Sequence, residues 1–299
     1  MKTLTVFTPA YNRAHTIGRT YGSLCRQTCR DFEWLVVDDG STDNTGELVR
    51  RWMSEADFTI RYIRQDNQGM HGAHNTAYAN ISTELNVCID SDDWMPDDAV
   101  EKIIAKWRAD GGEEYSGIIG LDVDARGEVI GTRLPDGVKA LTLEDFYGKG
   151  GRGDKKLVYR TDLMRSVPPY PLFPGEKYVG LGYKGQILDQ SYKMLVLDEP
   201  LVVVEYQPDG SSMNMYRQYW RNPRGFAFMR LNDMLYARTF RRKVETCIHY
   251  VSHSLRARNP KFISQSNMPL LTALCVLPGV ALYALTAWKV KSNQKMSLK

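Results

Sequence analysis

Four short apolar runs, separated by amphipathic segments, organise the first part of the chain. The runs have the length and the β-branched and aromatic content of strands, and they are residues 4–7, 32–37, 59–63 and 85–89. Between them apolar residues recur at helical spacing, which predicts helices at 17–28, 45–53 and 73–81. Strand and helix alternating in units of about 30 residues are typical of a parallel sheet covered on both faces. The pattern therefore predicts an α/β fold.

Polar side chains follow the carboxyl end of each predicted strand. In open parallel sheets, ligands bind in the crevice outside these ends. Each group taken alone is explained as readily by turns, because Asn, Asp and Gly favour turns for their own reasons. Four strands ending in the same way favour a ligand site at this edge. The residues are Thr8, Tyr11, Asn12 and Arg13, then Asp38 and Asp39, then Asn67, Gly69 and His71, and finally Asp90, Asp92 and Asp93.

Three aspartates, Asp90, Asp92 and Asp93, directly follow the fourth apolar run. Burying such like charges unpaired costs on the order of several kcal/mol, and a divalent cation would remove that cost. Carboxylate oxygens suit Mg²⁺ or Mn²⁺, and Mg²⁺ is commonly held by one or two carboxylates together with substrate phosphates. The alternative is a solvated loop that precedes a helix beginning near Pro96. The cluster alone leaves both interpretations open.

The composition narrows the class of protein. The chain has 299 residues, a formal charge of +4 and ordinary charged and apolar fractions, which suits one large domain or two modest ones. Its five cysteines include no C-x-x-C pair, which favours a reducing compartment and gives no indication of a zinc site. The first residues are too short a run for a signal peptide, so we expect the body of the protein to be cytoplasmic. No G-K-[ST] sequence of a P-loop is present.

Several stretches in the first 94 residues, taken in order, resemble the family 2 glycosyltransferases. That family has the GT-A fold, so the resemblance implies a mostly parallel, Rossmann-like sheet flanked by helices. The matching stretches are Thr8–Arg13, Gln27–Thr28, Asp31–Trp34, Val36–Asp43, Asn67–Gly69, Ala73–Asn75 and Ile89–Trp94.

The resemblance also implies a nucleotide-sugar donor, usually one that carries UDP. Tyr11 would lie against the base and Asp39 would accept a hydrogen bond from it. Asp90, Asp92 and Asp93 match the D-x-D region, in which Asp90 would hold the ribose while Asp92 and Asp93 hold Mn²⁺ or Mg²⁺ with the diphosphate. The other expected nucleotide-binding residues are Thr8, Pro9, Asn12, Arg13, Asn67 and His74.

Two positions depart from the pattern of the relatives. His74 stands where many relatives carry Arg, so activity would depend on pH if this side chain meets the diphosphate. The alternative is a histidine on the surface of a helix. Inverting relatives take the acceptor proton with an acid that often lies near Leu181, where this chain has none. The candidate bases are Glu176 first and Asp189 second.

The composition shifts after residue 215, which predicts a GT-A domain at 1–215 and a basic helical tail at 216–299. Arginine and lysine greatly outnumber acids between 216 and 261, with aromatic residues among them. This pattern is expected either for a solvated helical face or for a surface that binds acidic lipid headgroups. Nucleic acid is not an expected partner, because no recognised binding motif accompanies the basic residues.

An uncharged apolar segment spans residues 269–288, with Pro278 and Gly279 in its middle. Three alternatives remain open: a kinked membrane-spanning helix, an in-plane or hairpin anchor, and an apolar helix packed on the protein. Positive charge on both sides of the segment favours an anchor on the cytoplasmic face of a membrane.

The sequence therefore predicts a metal-dependent, inverting glycosyltransferase of surface-polysaccharide type that acts on a glycan or a lipid-linked glycan. The alternatives are a nucleotidyltransferase, which would also use a metal and a nucleotide, and a membrane-associated scaffold that retains the fold as a binding module.

Overall fold

The structure is a computed structural model that describes residues 2–205 and 215–296. The chain forms two compact units. The first unit comprises the described residues up to Pro169 together with Lys184–Glu205, and the second comprises Tyr170–Tyr183 together with the described residues after Glu205. The sequence placed residues 170–183 in the glycosyltransferase domain, whereas this segment packs with the C-terminal helices. The predicted boundary after residue 215 stays a prediction.

The first unit contains a sheet of eight strands in the order β3-β2-β1-β4-β7-β5-β8-β6. β1 to β4 pair in parallel, as the alternating pattern predicts. The strands are β1 (Leu4–Ala10), β2 (Phe32–Asp38), β3 (Thr59–Arg64), β4 (Leu85–Cys88), β5 (Tyr115–Val123), β6 (Ala140–Leu141), β7 (Lys155–Arg160) and β8 (Lys193–Val203). β1 and β2 are buried along almost their whole length, because helices cover both faces of the sheet.

The helices of the first unit connect these strands, and the three predicted helices are present with shifted ends. They are α1 (Ile17–Cys25), α2 (Thr45–Glu55), α3 (Met70–Asn80), α4 (Ala99–Asp110), α5 (Leu143–Gly148), α6 (Thr161–Ser166) and α7 (Gly182–Leu188). On one face Tyr21 of α1 stacks on Trp52 of α2, with ring centroids 4.3 Å apart, and both lie beside the fully buried Trp34 of β2. Burial of these aromatic rings fixes the helices on the sheet.

β7 interrupts the parallel arrangement. It lies between β4 and β5 and is antiparallel to both. β4 and β5 therefore point the same way, and the amino end of β7 lies between their carboxyl ends. This insertion adds residues of β5 and β7 to the edge that the sequence predicts for ligands.

The second unit is mainly helical after residue 214, while its segment 170–181 forms no helix. Its helices are α8 (Met215–Arg221), α9 (Pro223–Tyr236), α10 (Phe240–Arg256), α11 (Pro269–Leu274) and α12 (Val276–Met296). Two of the basic residues have partners within this unit: Arg230 pairs with Asp233, and the guanidinium of Arg256 lies 4.1 Å from the ring centroid of Trp220. These two arginines therefore have a structural role.

The apolar segment forms two helices with a break at Cys275. Pro278 lies in the first turn of α12, where its missing N–H leaves no helical hydrogen bond unmade. Gly279 contacts α10, since a Cβ at this position would lie 2.5 Å from the side chain of Val251. In the described residues, 2–205 and 215–296, no helix combines the length and the apolar character needed to cross a membrane.

The opposite face of α11 and α12 is exposed. Leu270, Leu274 and Leu277 are each about 80% exposed, and Trp288 further along is 64% exposed. Leu270 and Leu274 are one helical turn apart on α11, and Leu277 follows in the first turn of α12. One face of the segment thus packs on the protein while the other presents an apolar stripe.

Candidate nucleotide and metal site

The ends of β1 and β2 are joined by polar contacts around Asn12. This residue has a φ of 54°, a left-handed conformation that asparagine tolerates better than most residues. Its backbone N–H donates to Ser41 Oγ at 2.9 Å, and its side-chain oxygen accepts from the N–H of Thr42 at 2.8 Å. The neighbouring Tyr11 is left 48% exposed at the edge of the sheet, so its ring is open to stacking.

The remaining predicted residues of this turn contribute mainly through their position. Thr8 is fully buried, and its hydroxyl accepts a hydrogen bond from Trp34 Nε1 at 3.0 Å. Pro9 lies within β1, next to Val37 of β2. The backbone N–H of Arg13 donates to Thr45 Oγ1 at 2.9 Å. Thr8 thus ties two strands together.

Asp39 organises the loop that leads into α3. It is buried, and one carboxylate oxygen accepts from Gln65 Nε2 at 2.7 Å and from the N–H of Gln68 at 2.8 Å. The other oxygen accepts from the N–H of Gly69 at 2.8 Å. The predicted nucleotide-binding residue Asn67 lies within this loop. Asp39 therefore positions the end of the third strand against the end of the second.

The acid cluster lies where β4 ends. Asp93 is buried, and its backbone N–H donates to the carbonyl of Asp90 at 3.0 Å, which forms a tight turn. Burial, and after it the charge of Asp90, raises the pKa of Asp93 to about 8, although Lys156 acts in the opposite direction. Asp93 therefore carries a proton near neutral pH, because the site has more acids than it can hold ionised. Asp90 and Asp92 are half-buried.

Two further charged residues, neither of which the sequence pattern indicated, lie at this cluster. Asp122, near the end of β5, is 3% exposed, and its Oδ1 has no hydrogen-bond partner among the described residues. Burial raises the pKa of Asp122, and Lys156 counteracts this. Lys156 of β7 donates from Nζ to the carbonyl of Cys88 at 3.3 Å.

The cluster fits a metal that is completed by a ligand. Among residues 2–205 and 215–296, no group of three or more His, Cys, Asp or Glu side chains is arranged to hold a metal by itself. An ion bound here by one or two carboxylates would take its other ligands from water or phosphate, as is usual for Mg²⁺. The raised pKa of Asp93 shows that its ionised form is unfavourable here, and a bound cation would stabilise that form.

His74 is buried at the face of the sheet. Its Nδ1 lies 3.1 Å from the hydroxyl of Tyr78, its Nε2 lies 3.6 Å from Cys88 Sγ, and its ring meets Phe7 edge-on. Burial, followed by the charges of His71 and Lys156, lowers the pKa of His74 to about 3. The expectation of a surface histidine is wrong, and the imidazole is neutral near pH 7.

Glu176 lies in the second unit and binds the start of α9. Its carboxylate accepts from the N–H groups of Arg224 at 3.1 Å and Gly225 at 2.9 Å, and from Arg224 Nε at 2.9 Å. Asn222, the residue that would ordinarily cap this helix, instead accepts from the N–H of Lys177. Glu176 thus performs the capping from 48 and 49 residues away in sequence, with both oxygens engaged.

Asp189 follows α7 in the first unit and is half-buried. Burial raises the pKa of Asp189 to about 6, while backbone hydrogen bonds from Glu144 and Leu143 oppose the rise. The N–H of Glu144 donates to Asp189 Oδ2 at 3.1 Å. A carboxylate with a pKa of about 6 is mostly ionised at neutral pH yet remains an effective proton acceptor.

A cavity of about 680 Å³ lies elsewhere in this unit. It is lined by Thr83 and Glu84 before β4, by Gly112 and Glu113 before β5, and by Arg160 at the end of β7. Because β7 is antiparallel to its neighbours, these residues all belong to the amino edge of the sheet. The cavity is therefore separate from the acid cluster, which lies at the opposite edge.

Comparison with known proteins assigns the first part of the chain to a family. The model of glycosyl transferase family 2 matches residues 5–150. These residues form a family 2 glycosyltransferase domain. Glycosyltransferase GlyA of Streptococcus pneumoniae is 40% identical to the chain over 110 residues, and chondroitin synthase of Escherichia coli is 35% identical over 107 residues. Each match covers 36% of this chain but 16% of the relative's length.

Solved structures share the fold of this chain. TarS 1–349 of S. aureus in complex with UDP-GlcNAc has a TM-score of 0.58 at 18% identity, covering 96% of this chain and 81% of that one. Mannosyltransferase PcManGT from Pyrobaculum calidifontis, in complex with GDP-Man and Mn²⁺, has a TM-score of 0.56 at 18% identity, covering 99% and 80%. These likenesses confirm the predicted GT-A fold class.

Proposed function

We propose that this protein is a metal-dependent glycosyltransferase that uses a nucleotide-sugar donor, with a UDP-sugar as the first choice. The observation that carries the proposal is the meeting of four strand ends at one edge, with the exposed Tyr11 on one side and the acids Asp90, Asp92 and Asp93 on the other. The distribution of a planar aromatic group and clustered carboxylates suits a base joined to a diphosphate.

In this proposal Asp92 and Asp93 hold Mn²⁺ or Mg²⁺, and Asp90 binds the ribose. The metal would supply positive charge to the nucleoside diphosphate as it leaves. Asn12, Arg13 and Asn67 belong to the loops around the donor, while Thr8, Pro9, Asp39 and His74 support these loops from below. Two nucleotide-sugar-bound relatives of the same fold, one with UDP-GlcNAc and one with GDP-Man and Mn²⁺, support this assignment.

We assign the proton acceptor for an inverting transfer to Asp189 in preference to Glu176. Asp189 belongs to the same unit as the acid cluster and has a pKa of about 6. Three donors at the start of α9 already bind the two oxygens of Glu176, and protonation of Glu176 would weaken these contacts. The acceptor is a glycan or a lipid-linked glycan.

We also propose that the second unit attaches the enzyme to a membrane surface. The exposed stripe of Leu270, Leu274 and Leu277 is followed by lysines in α12 and preceded by basic helices. An apolar face with adjacent cationic residues favours an in-plane position at anionic headgroups. The cytoplasmic face is the expected side.

The test is release of nucleoside diphosphate from UDP-sugars and GDP-sugars, with and without Mn²⁺. We expect metal-dependent UDP release that Asp92→Asn abolishes while the circular dichroism spectrum stays unchanged. Release of pyrophosphate from a nucleoside triphosphate would instead support a nucleotidyltransferase. Binding without any turnover would support a scaffold.

A further inference from the structure

The order of the strands brings a lysine into the acid cluster. β4 ends at Cys88, two residues before Asp90, and β5 carries Asp122 near its end. β7 runs between these strands in the opposite direction, and Gly120 of β5 is the Cα partner of Lys156. Lys156 is therefore next to the carboxyl ends of both neighbouring strands, where the acids lie.

The contacts of Lys156 hold its ammonium group at this edge. Nζ donates to the carbonyl of Cys88 at 3.3 Å, on the strand that leads into Asp90. Burial alone would lower the pKa of Lys156, but Asp122, Asp90 and Asp93 more than offset it, and the pKa lies above its usual range. The ammonium is thus charged whenever the protein is folded near neutral pH.

Asp122 provides the second observation. It is 3% exposed, and its Oδ1 has no hydrogen-bond partner within residues 2–205 and 215–296. A buried carboxylate oxygen that lacks a hydrogen bond needs a nearby positive charge to be tolerated. Lys156 supplies such a charge, since it counteracts the rise that burial causes in the pKa of Asp122. Lys156 and Asp122 therefore form part of the charged acid cluster and are not a surface ion pair.

We propose that Lys156 is the resident counterion of the acid cluster and that a divalent metal binds there only by sharing these carboxylates with it. Lys156 thereby sets the metal affinity of the site. It is a positioning residue, since it acts on the metal through Asp90, Asp93 and Asp122. This inference rests on the proposed metal-dependent function.

The charges explain why this role matters. Because Asp93 carries a proton near neutral pH, the cluster of Asp90, Asp92, Asp93 and Asp122 presents at most three negative charges, against which Lys156 supplies one positive charge. Without the lysine the acids would repel each other more strongly and would hold a divalent ion more tightly. With it the site remains folded in the absence of metal, and the metal is bound firmly when a diphosphate adds further negative charge.

The test is a titration of the full chain with Mn²⁺, with and without UDP. The paramagnetic resonance signal of free Mn²⁺ reports how much of the ion is bound. Lys156→Met removes the charge and keeps an apolar chain of similar length. We expect it to bind Mn²⁺ roughly tenfold or more tightly than the wild type, because an ammonium close to a divalent ion is removed. Lys156→Arg retains the charge and should stay close to wild-type affinity.

Lys106→Met is the matched control, because Lys106 pairs with Asp110 on α4 and lies outside the cluster. Its Mn²⁺ affinity should not change. Lys156→Gln repeats the neutral substitution with a polar side chain in case Lys156→Met does not fold. Unchanged or weaker Mn²⁺ binding by both neutral variants would overturn the inference. Failure of the wild type to bind UDP in the presence of Mn²⁺ would count against the proposed function. The Mn²⁺ affinities of the wild type and the Lys156 variants could still be compared.

Discussion

The role of Glu176 gives a prediction whose size follows from the structure. Its carboxylate accepts from two backbone N–H groups in the first turn of α9 and from the guanidinium of Arg224. Glu176→Ala leaves both N–H groups without that partner. Hydrogen bonds to a charged group contribute about 1.5–3 kcal/mol each, and the full value does not apply at a helix end where water replaces part of the loss.

We therefore expect Glu176→Ala to lower the free energy of unfolding by about 2–4 kcal/mol. The Arg224 side chain is 44% exposed, so its ion pair with Glu176 adds little to this sum. A change of this size corresponds to a fall of roughly 4–16 °C in the melting temperature for a domain of 150–250 residues. Glu176→Gln keeps one acceptor oxygen and should lose about half as much.

The assay is urea denaturation followed by circular dichroism, with turnover measured on the same samples below the transition. The matched control is Asp189→Asn, which should leave stability nearly unchanged and remove activity. The reasoning would be refuted if substitution of Glu176 affected turnover and left stability unchanged. If Glu176→Gln has wild-type stability but loses more than a hundredfold in turnover, Glu176 is the base and its contacts with α9 are incidental.

Three further predictions concern other parts of the chain. Since Asp189 has a pKa of about 6, a base at this position is ionised only above it. The rate should therefore rise with pH through about 6. Asp189→Asn should lower the rate by about 10²–10⁴-fold and should abolish this dependence of the rate on pH. Trp52→Ala removes a ring stacked on Tyr21, and it should lower the free energy of unfolding by about 3–5 kcal/mol, as measured by urea denaturation. Replacing Leu274 and Leu277 by serine should release the protein from anionic vesicles in a flotation assay without changing turnover on a soluble acceptor; retention would place the anchor elsewhere.

Local patterns were sufficient to predict the parallel half of the sheet. The runs at 4–7, 32–37 and 59–63 are mostly apolar, and each is followed by a turn and a helical segment. β1 pairs with β2 and β2 with β3, each with the next strand along the chain. The polar residues at their ends lie where the pattern predicts.

The antiparallel insertion of β7 could not be predicted in this way. Residues 155–160 begin with two lysines and have no strong apolar alternation. Their pairing with β4 joins residues about 70 positions apart, and no local signal specifies it. The association of Lys156 and Asp122 with the acid cluster depends on that pairing, so local sequence patterns do not predict it.

Glu176 and His74 illustrate the same limitation for single side chains. The acid at position 176 is a capping group because α9 begins far along the chain. His74 is buried because α3 carries small residues that let it approach β1 closely, and its facing residue Phe7 is not a sequence neighbour. In both cases residue type gave the chemistry that was available, and long-range packing decided its use.

The measurement that tests the central claim most directly is thermal unfolding in the presence of UDP, Mn²⁺ and both together. Binding confined to the folded state stabilises it by RT ln(1 + [L]/Kd), about 2.7 kcal/mol at a hundredfold excess over Kd. The proposed site predicts a clear rise with UDP and Mn²⁺ together, a much smaller rise with UDP alone, and loss of the difference in Asp92→Asn. A rise that is the same without metal, or that Asp92→Asn leaves intact, would contradict a metal–diphosphate site at the end of β4.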